Sequence, residues 1–165
     1  MRRQSRRRRS RGFSLMELLI VIAIILVIAT IAVPQYNKVQ MNAREMAVIQ
    51  EIGAIHKGQT QYYAQFGRFA ENLAQLGPSP NAQADGPAAA NLLPAELAKG
   101  EKNGYRYTLQ LTKEGYQINA NPLAYGNTGR RTFYSDQTMI IHQNWGQEPA
   151  TAQSPELGSA APAGK

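Results

Sequence analysis

Few residues in this 165-residue chain carry reactive chemistry. The two histidines, His56 and His142, are far apart in sequence and have no acidic residue at metal-ligand spacing, whereas a zinc site needs three or four clustered ligands. Gly126-Asn127-Thr128-Gly129-Arg130-Arg131 has the glycines of a phosphate loop but lacks its lysine and the helix that should follow, so it reads as a turn with two solvated arginines. Asp136 and Glu148 are too few hard oxygen ligands for calcium. No serine, histidine and aspartate set has the support of a motif. The sequence thus predicts no catalytic residue, no metal and no cofactor. One ionisable group stands out by its surroundings. Glu17 sits in residues 13–33, where only Ser14, Glu17 and Thr30 are not apolar. A charge inside a spanning helix is costly and usually marks function.

The element that must carry Glu17 is a helix. Its 21 residues, at about 1.5 Å each, cover roughly 30 Å, the thickness of a bilayer's hydrocarbon core. The charge around it is uneven. Seven of the chain's 18 basic residues (Arg2, Arg3, Arg6, Arg7, Arg8, Arg9 and Arg11) precede the apolar run, and the remaining 11 are balanced by 11 acids. The pI near 9.9 therefore describes a leader, not a basic folded face, which argues against direct nucleic-acid binding. Arginines ahead of a first spanning helix hold that end in the cytoplasm and send the remainder across the bacterial inner membrane. With no cysteine there is no disulfide framework.

A secretory signal fits poorly, because the apolar run is too long and Pro34 closely follows its only weak cleavage site. A twin-arginine signal fits poorly too, since Phe13 is misplaced and the run too hydrophobic. A plain signal anchor explains neither Glu17 nor the Gly12-Phe13 junction. The stretch Arg11-Gly12-Phe13-Ser14-Leu15-Met16-Glu17-Leu18-Leu19-Ile20, continued by Ala32-Val33-Pro34-Gln35-Tyr36, resembles the start of type IV prepilins and of the pseudopilins of type II secretion. The resemblance covers about 25 residues closely and about 30 more loosely; Leu26 departs from it, since many pilins have glycine there. It implies cleavage by a prepilin peptidase between Gly12 and Phe13, methylation of the new Phe13 amine, and a Glu17 that meets the Phe13 amine of a neighbouring subunit. One polar pair in an apolar bundle fixes register, because leaving either charge unpaired costs several kcal/mol. It also implies self-association into a filament, membrane lipid around the subunit before assembly, and an inner-membrane platform with an ATPase to extract it.

The rest of the chain fits one small domain. Tyr36, Val39, Ala43, Met46, Ile49, Ile52, Ile55, Gln59, Tyr62 and Phe66 recur every three or four residues as a predicted core stripe, with Glu45 and Glu51 off it. Gly67 is the expected C-cap, and Pro34 the expected kink. Residues 67–103 read as a connecting loop with short helical turns near 69–77 and 94–99. Tyr105, Tyr107, Leu109 and Leu111, then Tyr116, Ile118 and Ala120, alternate with polar residues as strands around a turn at Lys113-Glu114-Gly115. Thr132-Phe133-Tyr134 and Met139-Ile140-Ile141-His142 complete three to four antiparallel strands. Residues 147–165, rich in Pro, Ala, Ser and Gly, read as a disordered tail.

The expected organisation is then a cleaved leader (1–12), a spanning and filament-core helix (13–33), and a periplasmic domain (34–146) whose helix continues to 66 and whose sheet occupies 104–146. The fold class is α+β: a long kinked N-terminal helix on a small antiparallel sheet, as in pilins. The function expected is a structural filament subunit, not an enzyme. A type IV pilus subunit and a major type II secretion pseudopilin remain open. Outside that class stands a monomeric membrane-anchored binding module, which predicts that Glu17→Ala leaves function intact.

Overall fold

The computed structural model describes residues 13–79 and 85–159. Their order is α1 (Leu15–Phe66), α2 (Leu73–Leu76), α3 (Ala95–Ala98), β1 (Glu101–Lys102), β2 (Tyr105–Leu111), β3 (Tyr116–Pro122), β4 (Thr132–Asp136) and β5 (Ile141–Asn144). The chain divides into two compact units, Met1–Lys38 and Val39–Lys165, and α1 contributes to both. The arginine leader and Gly12 lie outside the described residues.

In the first unit the described side chains of residues 13–33 are exposed, apart from the half-buried Ala29. Residues 15–33 are helical and apolar except for Glu17 and Thr30, and beyond the first turn the helix satisfies its backbone groups internally, which is what a hydrocarbon solvent demands. Pro34 lies within α1, and the helix continues on both sides of it.

In the second unit the inner face of α1 is Met41, Glu45, Val48, Ile52, Ile55, Gln59 and Tyr62, all buried and recurring every three or four residues. Gln59 is hydrogen-bonded to Ala70 and the Tyr62 hydroxyl donates to Pro87 O, both in the segment that follows the helix. The sequence stripe holds from Ile49, which is partly buried against the core, onward and fails before it. Tyr36, Val39 and Met46 are exposed, as is Ala43, and Glu45 and Glu51 are buried. The physical reason is that the true inner face contains two carboxylates with partners, whereas a reading by hydrophobicity moves every charge outward. Ile52 and Ile55 meet Tyr105, Tyr107, Tyr116, Ile118 and Phe133 in one core. Burying an aliphatic or aromatic side chain this fully stabilises by about 1.5–3 kcal/mol.

The sheet is antiparallel, with five strands in chain order, consistent with the α+β architecture expected. β2 and β3 pair from Tyr105↔Pro122 to Leu111↔Tyr116, so the alternation places Tyr105, Tyr107 and Leu109 inward beside Ile118 and Ala120. Strand β1 lies in the region read as loop. Its signal was Asn103-Gly104, a two-residue hairpin turn with both residues at positive φ (52° and 79°) between Lys102 and its partner Tyr105. β5 begins two residues later than read, because Met139, also at positive φ (64°), belongs to the turn that Asp136 organises by accepting from the Thr138 backbone N–H and hydroxyl. Both short helical turns fall within 67–103 as α2 and α3.

The described part of the expected disordered tail, residues 147–159, is instead bound to the sheet. The Gln143 N–H donates to Pro155 O (2.8 Å) and the Leu157 N–H to Ile141 O (2.7 Å), so this segment occupies the open edge of β5. The Thr132 hydroxyl donates to Glu148 O (2.8 Å), His142 Nδ1 to Ser154 O (2.7 Å), and Ala150 is buried. Composition missed this because main-chain edge bonding needs no particular side chain. Deleting residues 147–165 is expected to lower unfolding free energy by roughly 2–4 kcal/mol through lost hydrogen bonds and apolar cover, read by denaturant titration, and to promote self-association through the bared edge, read by light scattering.

Candidate functional site

Of the residues singled out by the sequence, Phe13 and Glu17 lie together at the start of α1, and Gly12 is outside the described residues. Ser14 opens the helix. Its hydroxyl accepts from the Met16 N–H (3.3 Å), while its own backbone N–H donates to Glu17 Oε2 (2.8 Å). This reciprocal arrangement is a capping box, and it satisfies donors that every helix N-terminus leaves orphaned. The signal was present as Ser14-Leu15-Met16-Glu17 but was not read as a cap. The cap has a chemical consequence. Glu17 is held near the positive end of the helix dipole, where a carboxylate is favoured. One of its oxygens is engaged there, and the other makes no hydrogen bond among the described residues. Phe13, immediately before the cap, is 86% exposed. The structure thus brings Phe13, Ser14 and Glu17 into one turn, with Pro34 far along the same helix.

Three buried polar groups hold the later part of α1 on the sheet. Glu45 accepts from the Arg130 backbone N–H (2.8 Å) and from Arg131 Nε (2.7 Å), and Arg131 Nη1 donates to Gln143 Oε1 (2.9 Å). Glu51 accepts from the Tyr107 hydroxyl, from Asn103 Nδ2 (2.7 Å) and from Lys102 Nζ (3.3 Å). Burial and the Glu51 carboxylate hold the Tyr107 hydroxyl well above the usual range, so it stays a donor. Burial likewise raises Tyr105, whose hydroxyl donates to Arg131 O.

His56 is the third group, and it contacts Ser135 in a manner that superficially suggests a nucleophile and its base. Its Nε2 lies 2.8 Å from Ser135 Oγ and its Nδ1 2.7 Å from the Tyr116 hydroxyl. Ser135 Oγ donates to Ile140 O (2.8 Å), so it must accept from Nε2–H, which assigns the Nε2–H tautomer with Tyr116 donating to Nδ1. A serine that is fully buried and already committed as a donor is in no position to attack a substrate. Burial also pushes the Tyr116 hydroxyl up to about 12, with Asp136 adding to the shift. A concavity of about 530 Å³ is lined chiefly by Ala74, Ala88, Ala89, Ala95 and Ala98, and brings no pair of titratable groups together. Among the described residues no three His, Asp or Glu are grouped to hold a metal.

Comparison with known proteins points to the same short stretch. Residues 7–33 match the family model of the prokaryotic N-terminal methylation motif. The chain is also similar to the type IV major pilin protein PilA of Myxococcus xanthus, 32% identical over 72 residues, which is 44% of this chain and 33% of that protein. The match therefore spans a third of the relative's length. Together the motif and the likeness support the type IV prepilin and pseudopilin family for this chain.

Burial lowers His56 below its ordinary value of 6.5, with Asp136 partly opposing the shift. Above that pH both folded and unfolded chains hold it neutral. As pH falls through 6.5 the unfolded chain takes up the proton and the folded chain resists, so stability is full above that value and declines below it. Denaturant titrations just above pH 6.5 and about one unit below it should show the decline, and His56→Gln should remove the part of it that arises between them.

Proposed function

We propose that this chain is a structural subunit of a type IV pilus-like filament, made as a precursor anchored in the inner membrane and polymerised through α1. The observation that carries the reading is Glu17: a carboxylate oriented by a capping box at the head of a long exposed apolar helix, four residues after Phe13. An exposed apolar surface of this extent needs lipid or other helices around it, and the filament reading supplies each in turn.

In the precursor the arginine leader holds the N-terminus in the cytoplasm and the sheet domain faces the periplasm. A prepilin peptidase cuts between Gly12 and Phe13 and methylates the Phe13 amine, leaving the helix in the bilayer. The new positive charge lies close to Glu17 in sequence. In the filament, the Glu17 oxygen not used by Ser14 takes the Phe13 amine of a neighbouring copy, so one carboxylate caps its own helix and sets axial register with the next. Extraction draws on an assembly platform and its ATPase. The likeness to a type IV major pilin supports a pilus subunit. The absence of cysteine, and hence of a disulfide-closed C-terminal loop, suits a type II secretion pseudopilin equally well.

Two measurements test this reading. Intact-mass analysis of membrane-extracted protein is expected to find residues 1–12 removed and one methyl group on Phe13; an untrimmed chain overturns it. Glu17→Ala is expected to insert into the membrane normally yet abolish filaments seen by electron microscopy. Undiminished filaments, or a chain that is functional and solitary, would instead favour a monomeric anchored module. Loss of surface filaments together with intact protein export assigns the chain to a pilus, and the converse to secretion.

A further inference from the structure

The antiparallel registers place the start of β2, the end of β3, the start of β4 and the end of β5 at one end of the sheet. That end also meets α1 where the helix enters the second unit, through the bonds from Arg130 and Arg131 to Glu45. Its surface is unusual. Leu123, Tyr125 and Trp145 are 46%, 41% and 49% exposed, and the Tyr125 hydroxyl lies 3.5 Å from Trp145 O. Trp145 is not loose: one side of its ring is covered by the Arg131 guanidinium at 4.9 Å, and Arg131 is itself fixed by Glu45. Beside it, Arg130 Nη2 reaches Asn42 Oδ1 (3.5 Å) while its Nε is buried without a partner. Among the described residues neither Arg130 nor Arg44 forms an ion pair.

Aromatic rings with polar tips, an exposed leucine and guanidinium groups with no carboxylate partner are the side chains that settle at a bilayer's polar boundary. The occupant follows from the tether and from charge. Asn42 lies nine positions after Val33, the end of the apolar run, at most about 30 Å of chain however it runs. The tether is therefore short enough for the patch to reach the bilayer when residues 13–33 span it, and arginines without acidic partners complement lipid phosphate. We propose that Leu123, Tyr125, Arg130 and Trp145 form a docking surface for the phospholipid headgroup layer, which rests the sheet domain on the membrane before polymerisation. It rests on the membrane-anchored reading above, and it adds a second membrane contact that must be broken when the subunit is extracted.

Trp145 is the only tryptophan in the chain, so its fluorescence reports on this surface alone. The full chain is reconstituted into vesicles of phosphatidylcholine with phosphatidylglycerol, with and without lipids brominated next to the headgroup, and is separated by flotation. The expected result is a Trp145 emission shifted to the blue relative to detergent, quenched by the brominated lipid, and quenched less when phosphatidylglycerol is omitted. A Tyr125→Ser, Arg130→Gln double variant that floats equally well should lose most of the quenching. Flotation with Trp145 unquenched and open to aqueous acrylamide overturns the docking surface while sparing the anchor. Failure to float overturns the anchor. Protection of Trp145 only after filaments form assigns the patch to a second copy and overturns the lipid assignment.

Discussion

Two of the three carboxylates on α1 are buried, where a charge is expensive, and all three are met by donors. The helix has three: Glu17, Glu45 and Glu51. Glu17 takes the backbone N–H of Ser14. Glu45 takes one backbone N–H and one guanidinium, and Glu51 takes a phenol, an amide and an ammonium group. An uncompensated buried charge costs several kcal/mol, far more than the modest net contribution of a good pair. The carboxylates therefore act less as sources of stability than as conditions the rest of the chain must meet. They specify where partners have to be, and the turns and strands bring those partners.

The partners of Glu45 and Glu51 lie near one end of the sheet, in the loop before β4 and in the β1–β2 hairpin. His56 meets β3 and β4 farther along, through Tyr116 and Ser135. Helix and sheet are thus tied at two levels, with Val48, Ile52 and Ile55 packed between them. Sliding the helix by one turn would leave all three polar groups without partners at once. Apolar packing alone would resist that slide far less, since neighbouring aliphatic residues substitute for one another.

The C-terminal segment answers a different problem. β5 would be an open edge, and for the proposed filament subunit such an edge would offer a second, unwanted way to associate. Residues 154–157 fill it with main-chain hydrogen bonds from within the same chain. On the proposed reading, association is then left to α1, whose residues 15–33 are apolar apart from Glu17 and Thr30. In a chain without cysteine, hydrogen bonds and the burial of Ala150 fasten this segment.

The sequence alone was enough for what depends on local chemistry. The apolar run around Glu17, the Gly12-Phe13 junction and the β2–β3 hairpin are patterns within a few neighbouring residues, and period-two alternation names the inward face of a strand without reference to anything else. It could also have yielded the Ser14–Glu17 cap and the Asn103-Gly104 turn, both fully local. Only tertiary structure decided which face of α1 is buried before Ile52, because Glu45 and Glu51 turn inward on account of donors far along the chain: Lys102, Asn103, Tyr107, Arg130 and Arg131. It alone decided that 147–159 binds β5, since an edge is completed by any backbone that reaches it. Both depend on what stands opposite a residue in space, and polarity along the chain does not record that.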